Sequence, residues 1–204
     1  MVRRLAASRE TVVFCGLSLC LTRASALCSG RVRGPVRRGD LDRIASPATV
    51  AIIDGVLDSA GKLSAREVER AIARGLRVYG AASAGALLAC ELHANGVTGR
   101  GRVYDFLRSF DGDRANLVAL LYRPASLTPV TTPLINAVIA LEDAILPSWQ
   151  RFQAMQALTE IPLWDRSPEI VEIALRGAGA WPLHISDQKA GDALALLTEL
   201  SRIA

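Results

Sequence analysis

The sequence contains few of the residues that metal, redox and base-stacking sites require. Its 204 residues include two histidines, four cysteines and only 5% aromatic residues. No CxxC pair occurs, and the cysteine spacing matches no zinc-binding pattern. No aromatic residue is interleaved with the clustered arginines, which does not favour stacking on single-stranded nucleic acid. We therefore predict no metal site and no nucleic-acid partner, and we expect buried free thiols of a reducing compartment.

Long apolar runs are also missing. None approaches the ~20 residues that cross a bilayer as a helix. Residues 1–10 are basic, an apolar run follows, and Ala24-Ser25-Ala26 resembles a cleavage site, which together is the pattern of a secretory signal peptide. However, Gly16 interrupts the run, and Val12-Val13-Phe14 is a good strand former. We therefore predict a strand here, and a cytoplasmic protein without a membrane partner.

Arginines are abundant in one short segment of a chain whose net charge is +4. This segment contains Arg31, Arg33, Arg37, Arg38 and Arg43, offset by Asp40 and Asp42. Such a run is usually a solvated loop, and the alternative is a site for an anion or a partner. Arg37, Arg38 and Asp40 are therefore candidate ligand-binding residues, because guanidinium groups bind carboxylates and phosphates.

Short apolar runs alternate with a helical pattern in the first half of the chain. We predict strands at 11–15, 48–53 and 76–79. Between the last two, Ser64 and Glu67 have the spacing of a capping box, and Gly75 ends the helix. A strand–helix–strand unit of this length pairs its strands in parallel. A helix after Asp40 would bring the first strand into the same sheet.

A second helix is predicted at 84–94, and residues 117–122 predict one more strand. We therefore predict an α/β core over residues 10–125, with an open, mostly parallel, Rossmann-like sheet and helices on both faces. Residues 126–204 predict a helical extension packed on this core. Its expected helices are one that Thr132 caps and that ends near 146, one that Ser148 caps, one from Ser167 to Gly177, and one at 187–202.

The predicted site lies where the strands end, because ligands of parallel sheets bind beyond the carboxyl ends of the strands. Gly16, Asp54 and Ser83 each follow a strand and would converge there, and the loop 37–40 could close over them. Asp54 has a plainer alternative, since it could simply begin a turn with Gly55. Three glycines of these turns complete the candidate ligand-binding residues: Gly55, Gly80 and Gly85.

Ser83 lies in a pattern that resembles a nucleophile elbow: a strand, a sharp turn, Ser-x-Gly and a helix. The preceding glycine lies three positions before the serine instead of two. A serine nucleophile needs a base, and His93 lies at the far end of the same helix, whereas His184 lies in a late loop. Asp54 and Glu91 are the remaining partners. Ser83 is therefore a nucleophile, an anion- or ligand-binding residue, or simply a helix cap.

Several motifs occur in an order that resembles the TfuA-like proteins. These are PVRRGDL (35–41), IIDGV (52–56), ARGLRVYGAASAGALLACEL (73–92), GRGRVY (99–104) and TPLIN (132–136). The similarity covers roughly residues 10 to 175. Family members are associated with YcaO enzymes, which use ATP to activate peptide backbone amides. With a TfuA-like partner the product is a thioamide, in peptide natural products or in a methanogenic enzyme.

The resemblance implies an accessory protein for YcaO-dependent thioamidation that helps recruit or release sulfur. The implied partners are a YcaO-type protein, a substrate peptide and a sulfur-carrier protein. ATP and Mg would bind the YcaO partner, and no cofactor is expected in this chain. The candidate catalytic residues that the family pattern retains here are Ser83, Asp54 and Glu91.

The chain departs from the family pattern at several positions. The usual GASSMGALRA reads GAASAGALLA at 80–89, so Ala82 replaces a serine and Leu88 an arginine. Leu57 and Asp58 stand where a phenylalanine and a nearby histidine are expected, and the acidic stretch is weakened at 111–116. If these groups carry catalysis, this copy is altered or inactive.

Two other functions fit the same residues. The run from Ser83 to Ala86 is similar to the S-A-G-A elbow of serine peptidases related to glutamine amidotransferases, which implies a serine hydrolase. A non-enzymatic docking module, with the helical half as its docking surface, is the third hypothesis.

Overall fold

The computed structural model describes residues 10–203 and contains a five-stranded, fully parallel sheet. Residues 1–9, which contain the basic residues of the signal-like pattern, lie outside the described residues. The strands are β1 (Glu10–Phe14), β2 (Arg31–Arg33), β3 (Ala48–Ile52), β4 (Arg77–Ala81) and β5 (Thr98–Arg100), in the order β2-β1-β3-β4-β5. The predicted open parallel α/β sheet is therefore confirmed.

Two of the three inner strands, β1 and β3, are buried on both faces. Val12 and Val13 are adjacent in sequence, point to opposite faces and are both inaccessible to solvent, and Val50 and Ala51 of β3 repeat this pattern. Helices cover both faces, which is why these strands are continuous apolar runs rather than alternating ones.

Nine helices are described, and the last four form most of the C-terminal part. They are α1 (Leu21–Leu27), α2 (Ala65–Ala73), α3 (Ala84–Leu92), α4 (Arg102–Ser109), α5 (Arg114–Val118), α6 (Leu134–Asp143), α7 (Ser148–Thr159), α8 (Pro168–Gly177) and α9 (Gln188–Ile203). Two short antiparallel strands, β6 (Tyr122–Arg123) and β7 (Thr128–Pro129), form a hairpin between α5 and α6. None of the helices in residues 10–203 is long and apolar enough to cross a membrane.

Helix α2 begins and ends as predicted, but its capping box is only half formed. Ser64 Oγ accepts a hydrogen bond from the Glu67 N–H at 3.2 Å, and Gly75 follows the helix with a φ of +100°. The Glu67 carboxylate does not return to Ser64. It is buried and accepts from the N–H groups of Gly39 at 2.9 Å and Leu41 at 3.0 Å. Glu67 therefore ties the arginine-rich loop to α2.

Two predicted connections are wrong. No long helix follows Asp40; residues 41–43 form a single 3₁₀ turn, and the chain leaves β1 through α1 and an additional edge strand, β2. Residues 117–122 are not one strand either. Asp113 accepts a hydrogen bond from the Asn116 N–H at 3.0 Å and so starts the short helix α5, which contains Leu117. Only Tyr122 continues into a strand.

Helix caps in the C-terminal part follow the prediction at one serine and differ at two positions. Ser167 caps α8, accepting from the Ile170 N–H at 3.3 Å. Thr132 does not cap α6, which begins after Pro133 without a side-chain cap and ends at Asp143. Ser148 is the first residue of α7 and follows Pro147, so it is inside the helix that it was expected to cap.

The final helix returns to the sheet. Ala193 and Leu197 of α9 belong to the same buried cluster as Val13 and Ile53, on the face of the sheet that α1 also covers. Helices α2 and α3 pack on the opposite face, in the cluster that contains Val12 and most of the helical extension. The C-terminal part thus contributes to the cores on both faces, and the predicted division at residue 125 stays a prediction.

Candidate active site

The strand order reverses direction between β1 and β3, which is where doubly wound sheets form their ligand crevice. Asp54 lies two residues after the end of β3 and is fully buried. Its carboxylate accepts hydrogen bonds from the Leu17 N–H at 2.9 Å, the Ser18 N–H at 2.8 Å and the Ser18 Oγ–H at 2.6 Å. Asp54 therefore joins the loops after the two strands, which is more than beginning a turn.

The turn before Ser83 is tight. The Ser83 N–H donates to the Ala81 carbonyl at 2.8 Å, and Ala82 between them has a φ of +67°. This is a γ-turn with a positive central φ, a strained conformation that costs on the order of 1–3 kcal/mol in a residue with a side chain. Such outliers cluster at functional sites, and here the turn aims the start of α3 at the crevice.

Gly80 and Gly85 let α3 approach the sheet closely. A Cβ on Gly80 would lie 2.1 Å from the Gly85 carbonyl oxygen, and a Cβ on Gly85 would lie 1.7 Å from the Ile52 carbonyl oxygen. Both glycines are buried. They shape the elbow through backbone packing, and their predicted role in ligand binding stays a prediction.

Ser83 does not act as a cap through its side chain. It holds the N-cap position of α3 with φ −129° and ψ −119°, but its hydroxyl makes no capping hydrogen bond. Within residues 10–203 the hydroxyl has no hydrogen-bond partner at all. The capping alternative is therefore wrong for Ser83, and the nucleophile and the ligand-binding residue remain.

Ser83 lines a cavity of about 400 Å³ at the carboxyl edge of the sheet. The other lining residues are Leu17, residues 55–58, residues 118–122 and Leu163. Gly55, a predicted ligand-binding residue, is among them. So are Leu57 and Asp58, the positions at which the chain departs from the resemblance, whereas Leu88 is buried in the core.

Lys189 is a buried residue beside the cavity that the sequence analysis missed. It is 2% exposed, and its Nζ donates to the carbonyl of Val118, a cavity-lining residue, at 3.3 Å. Burial lowers the pKa of Lys189, while the charges of Asp54 and Asp187 oppose this shift. A lowered pKa increases the fraction of a lysine amine that is unprotonated, and only the unprotonated amine can act as a base.

A signal for Lys189 was present in the pattern of α9. Lys189, Ala193, Leu196 and Leu200 recur at helical spacing, and all four are buried. A lysine in the apolar stripe of an amphipathic helix is unusual, because lysines are almost never fully buried without a partner.

Asp192 fixes the part of α9 that carries Lys189. Its carboxylate accepts from the Val103 N–H at 2.7 Å, at the start of α4. Gly101 makes room for it, since a Cβ there would lie 2.5 Å from the carboxyl carbon of Asp192. The GRGRVY motif therefore holds α9 in place through Asp192. Lys189 lies about one helical turn before Asp192 on the same helix.

The structure does not bring Glu91 to Ser83. Glu91 lies eight residues further along α3, a rise of about 12 Å, and it forms an exposed ion pair with Lys62 at 3.3 Å. It is absent from the cavity lining that includes Ser83. His93 follows α3 and lies 3.3 Å from the Tyr104 hydroxyl, away from the elbow as expected.

The arginine-rich loop runs beside the site without covering it. The Val36 N–H donates to the Asp54 carbonyl at 2.9 Å, so this segment lies against the loop after β3. Arg38 donates to the Ser59 carbonyl at 2.9 Å, and the Arg37 N–H donates to the Asp40 carboxylate at 2.8 Å. None of these three candidates lines the cavity with Ser83. Their binding of an anion stays a prediction.

The four cysteines are free, but they are not all buried. Cys15 is buried, and its burial, followed by the charge of Asp54, raises its pKa to about 12. Cys20 is exposed, contrary to expectation, and a hydrogen bond with Thr22 lowers its pKa. No group of three or more His, Cys, Asp or Glu side chains in the described part of the chain could hold a metal ion.

Comparison with known proteins supports the resemblance. No curated protein matches the chain. A family model described as TfuA-like protein matches residues 54–163, which is more than half of the 204 residues. The matched stretch includes Asp54, Ser83 and the cavity-lining residues 118–122, and Lys189 lies outside it. The chain therefore belongs to the TfuA-like family.

Proposed function

We propose that this chain is an accessory protein for YcaO-dependent backbone thioamidation that releases sulfur by hydrolysing a carrier protein's C-terminal thiocarboxylate at Ser83. The observation that carries this proposal is the Ser83 hydroxyl, which lines a cavity at a strained elbow and has no partner among the described residues. A serine that served only to cap α3 would use its hydroxyl on the helix backbone, as Ser64 and Ser167 do on theirs.

Lys189 is the proposed base. The amine of Lys189, whose pKa burial lowers, takes the Ser83 proton in its neutral form as Oγ attacks the thiocarboxylate carbon. The tetrahedral intermediate collapses by breaking the C–S bond, and sulfur leaves as HS⁻ with the proton from Lys189. Water then attacks the acyl-serine ester while Lys189 accepts one of its protons. The bond from the acyl carbon to Oγ breaks, Lys189 returns that proton to Ser83 Oγ, and the carrier's carboxylic acid loses its remaining proton to water to give the carboxylate.

The remaining groups support this chemistry through electrostatics and position. The amino end of α3 follows Ser83 and carries partial positive charge, which stabilises the oxyanion of the tetrahedral intermediate. Asp54 holds the loop after β1 through three hydrogen bonds and, as a negative charge, interacts with Lys189. We assign Asp54 a positioning role, since no hydrogen bond joins it to Ser83 in the described chain.

A second candidate function, non-catalytic docking, is favoured by the surface of the helical extension. Trp149 and Phe152 on α7 and Ile173 on α8 are each 62% exposed. Large apolar side chains that remain exposed on adjacent helices are typical of protein interaction sites. In this alternative the extension recruits the YcaO-type partner, and Ser83 contributes no chemistry.

The test is sulfide release from a purified thiocarboxylated sulfur carrier, followed by mass spectrometry of the carrier. We expect the wild-type chain to exchange the terminal sulfur for oxygen, and Ser83→Ala and Lys189→Met to abolish this exchange. Ser64→Ala, which removes a true cap on a helix of equal length, should retain it. Sulfide release that survives Ser83→Ala would contradict the proposed hydrolysis.

A coupled assay separates hydrolysis from docking. With the YcaO-type partner, ATP and the thiocarboxylated carrier, Ser83→Ala should fail to support thioamide formation. Supplying inorganic sulfide should restore the product, because the lost step is the release of sulfur. Docking as the sole role predicts instead full activity of Ser83→Ala and loss on Trp149→Ala.

A further inference from the structure

A short hairpin joins two walls of the cavity that Ser83 lines. It consists of residues 121–130 and contains β6 and β7. At its base, Leu121 and Tyr122 line the cavity. At its tip, the Leu127 side chain lies against Gly16, and the next residue, Leu17, lines the cavity from the loop after β1. The hairpin therefore spans the space between these two walls.

Few contacts hold the hairpin to the rest of the protein. Within residues 121–130 only Tyr122 and Leu127 are partly buried, and the others are exposed. No hydrogen bond or ion pair joins residues 122–129 to any other segment between 10 and 203. A two-stranded hairpin is at best marginally stable by itself, so the position of this one depends on those two side chains.

Leu127 occupies a turn position that does not suit a leucine. Its N–H donates to the Arg123 carbonyl at 2.9 Å, and its φ is +53°. This left-handed conformation is strained in a residue with a Cβ, whereas glycine adopts it freely. The side chain compensates by packing, since its Cδ1 lies 2.7 Å from the place of a Cβ on Gly16 and 4.0 Å from that of a Cβ on Gly34. Leu127 thus fills space that these two glycines leave open.

The base of the hairpin holds its two arms together. The Leu121 N–H donates to Thr131 Oγ1 at 2.8 Å, and the Leu121 carbonyl accepts from the Val130 N–H at 2.7 Å. The first arm begins after Leu120, whose backbone makes no hydrogen bond to any residue between 10 and 203. A rotation about Leu120 and Thr131 would therefore move both arms as one unit and keep the bonds between them.

We propose that residues 121–130 are a lid, which rotates about Leu120 and Thr131 to open the cavity and which Leu127 holds closed against Gly16 and Gly34. The closed lid limits the access of bulk solvent to Ser83, and the open lid admits a ligand. That this ligand is the substrate of Ser83 rests on the proposed function, whereas the opening itself does not.

The experiment measures access to the cavity without turnover. In the full chain carrying Ser83→Cys, the introduced thiol is modified by bulky fluorescein maleimide or by small N-methylmaleimide, and tandem mass spectrometry gives both rates. Their ratio reports access, because the reactivity of the thiol affects both rates alike. Leu127→Asn tolerates the positive φ but loses the apolar contact, and we expect it to raise the ratio of bulky to small labelling about threefold to tenfold.

The matched control is Ala125→Asn, at an exposed residue of the same tip, which should leave the ratio unchanged. A second variant replaces residues 124–127 by Asn-Gly, a favoured two-residue turn, which removes the tip and keeps the pairing of β6 and β7. It should raise the ratio at least as much as Leu127→Asn. Cys15, which is fully buried, should stay unmodified in every variant, because access through the lid does not require unfolding.

The outcomes distinguish the lid from the proposed function. An unchanged ratio in both Leu127→Asn and the shortened hairpin would overturn the lid, even if the wild type releases sulfide. An equal rise on Ala125→Asn would overturn it as well, because the effect would not depend on the contact of Leu127. A rise confined to Leu127→Asn and the shortened hairpin would support the lid, even if the wild type releases no sulfide.

Discussion

At the residue scale, two serines that occupy the same position of their helices have different roles. Ser64 and Ser83 both occupy the N-cap position of a nine-residue helix. Ser64 is exposed and its hydroxyl satisfies a backbone N–H, whereas Ser83 is buried and its hydroxyl satisfies none within the described chain. The difference arises from the turn before Ser83, in which Ala82 takes a positive φ. That turn fits an elbow rather than an ordinary cap.

The two serines should therefore differ in their contribution to stability. Ser64→Ala should lower the free energy of unfolding by about 0.5–2 kcal/mol, the usual cost of losing a cap. Ser83→Ala removes no hydrogen bond and should change it by less than about 0.5 kcal/mol. Urea unfolding of both variants measures the difference. An equal loss in the two variants would mean that Ser83 caps α3 in solution.

Lys189 should make stability depend on pH. Burial lowers its pKa in the folded state below the ordinary value of 10.5, so between the two pKa values the unfolded chain binds more protons. The contribution of Lys189 to stability therefore rises with pH through that window and is least favourable below it. We expect Lys189→Met to be more stable than the wild type at neutral pH, by a margin that shrinks as the pH approaches 10.5.

Urea unfolding across a pH series measures this margin for Lys189→Met. Lys62→Met is the control, because the Lys62 side chain is 42% exposed in its ion pair with Glu91. A margin for Lys189→Met that does not vary with pH would contradict a buried, titrating amine.

At the element scale, buried carboxylates from distant segments replace local caps and tie loops down. Glu67 in the first turn of α2 binds the backbone of the loop at 39–41, and Asp192 on α9 binds the first turn of α4. Asp54 does the same for the loop after β1. Each of these three contacts joins elements that are far apart in sequence, and together they hold the framework around the cavity.

Glu67→Gln tests one of these connections. The amide keeps one acceptor but loses the charge that strengthens the bonds to Gly39 and Leu41, so we expect a loss of about 1.5–3 kcal/mol in unfolding free energy. Glu69→Gln on the exposed side of the same helix should cost less than about 0.5 kcal/mol. Denaturant titration compares them. Similar values for the two variants would show that the buried carboxylate does not stabilise the loop.

At the scale of the whole molecule, the final helix completes the core of the first strands. Leu196, Leu197 and Leu200 of α9 pack in the cluster that contains Val13 and Ala51. Because one face of the sheet is covered partly by residues near the C-terminus, the α/β core and the helical part share their packing. We therefore expect them to unfold together.

Leu197→Ala should lower the free energy of unfolding by about 2–5 kcal/mol, as buried leucines do. Ile173→Ala, at a side chain that is 62% exposed, is the control and should change it by less than about 0.5 kcal/mol. All three tryptophans lie in the C-terminal part, so their fluorescence reports on it, whereas far-ultraviolet circular dichroism reports on the whole chain. Separate midpoints for the two signals would contradict shared packing.

The sequence alone was sufficient wherever a local rule decided the structure. Runs of buried residues predicted β1 and β3, Gly75 predicted the end of α2, and Ser167 predicted the start of α8. The ordered motifs predicted the TfuA-like family. These features depend on residues that are neighbours in the chain, through backbone propensity and caps.

Tertiary structure decided everything that depends on distant partners. It turned Glu67 from a capping box toward the loop at 39–41, and it placed the last two residues of α5 where a strand was predicted to begin. It also left α3 without a side-chain cap from Ser83 and buried Lys189 beside Val118. The physical reason is that a side chain binds the groups that folding brings within hydrogen-bond distance, and sequence spacing does not specify these across the more than one hundred residues between Ser83 and Lys189.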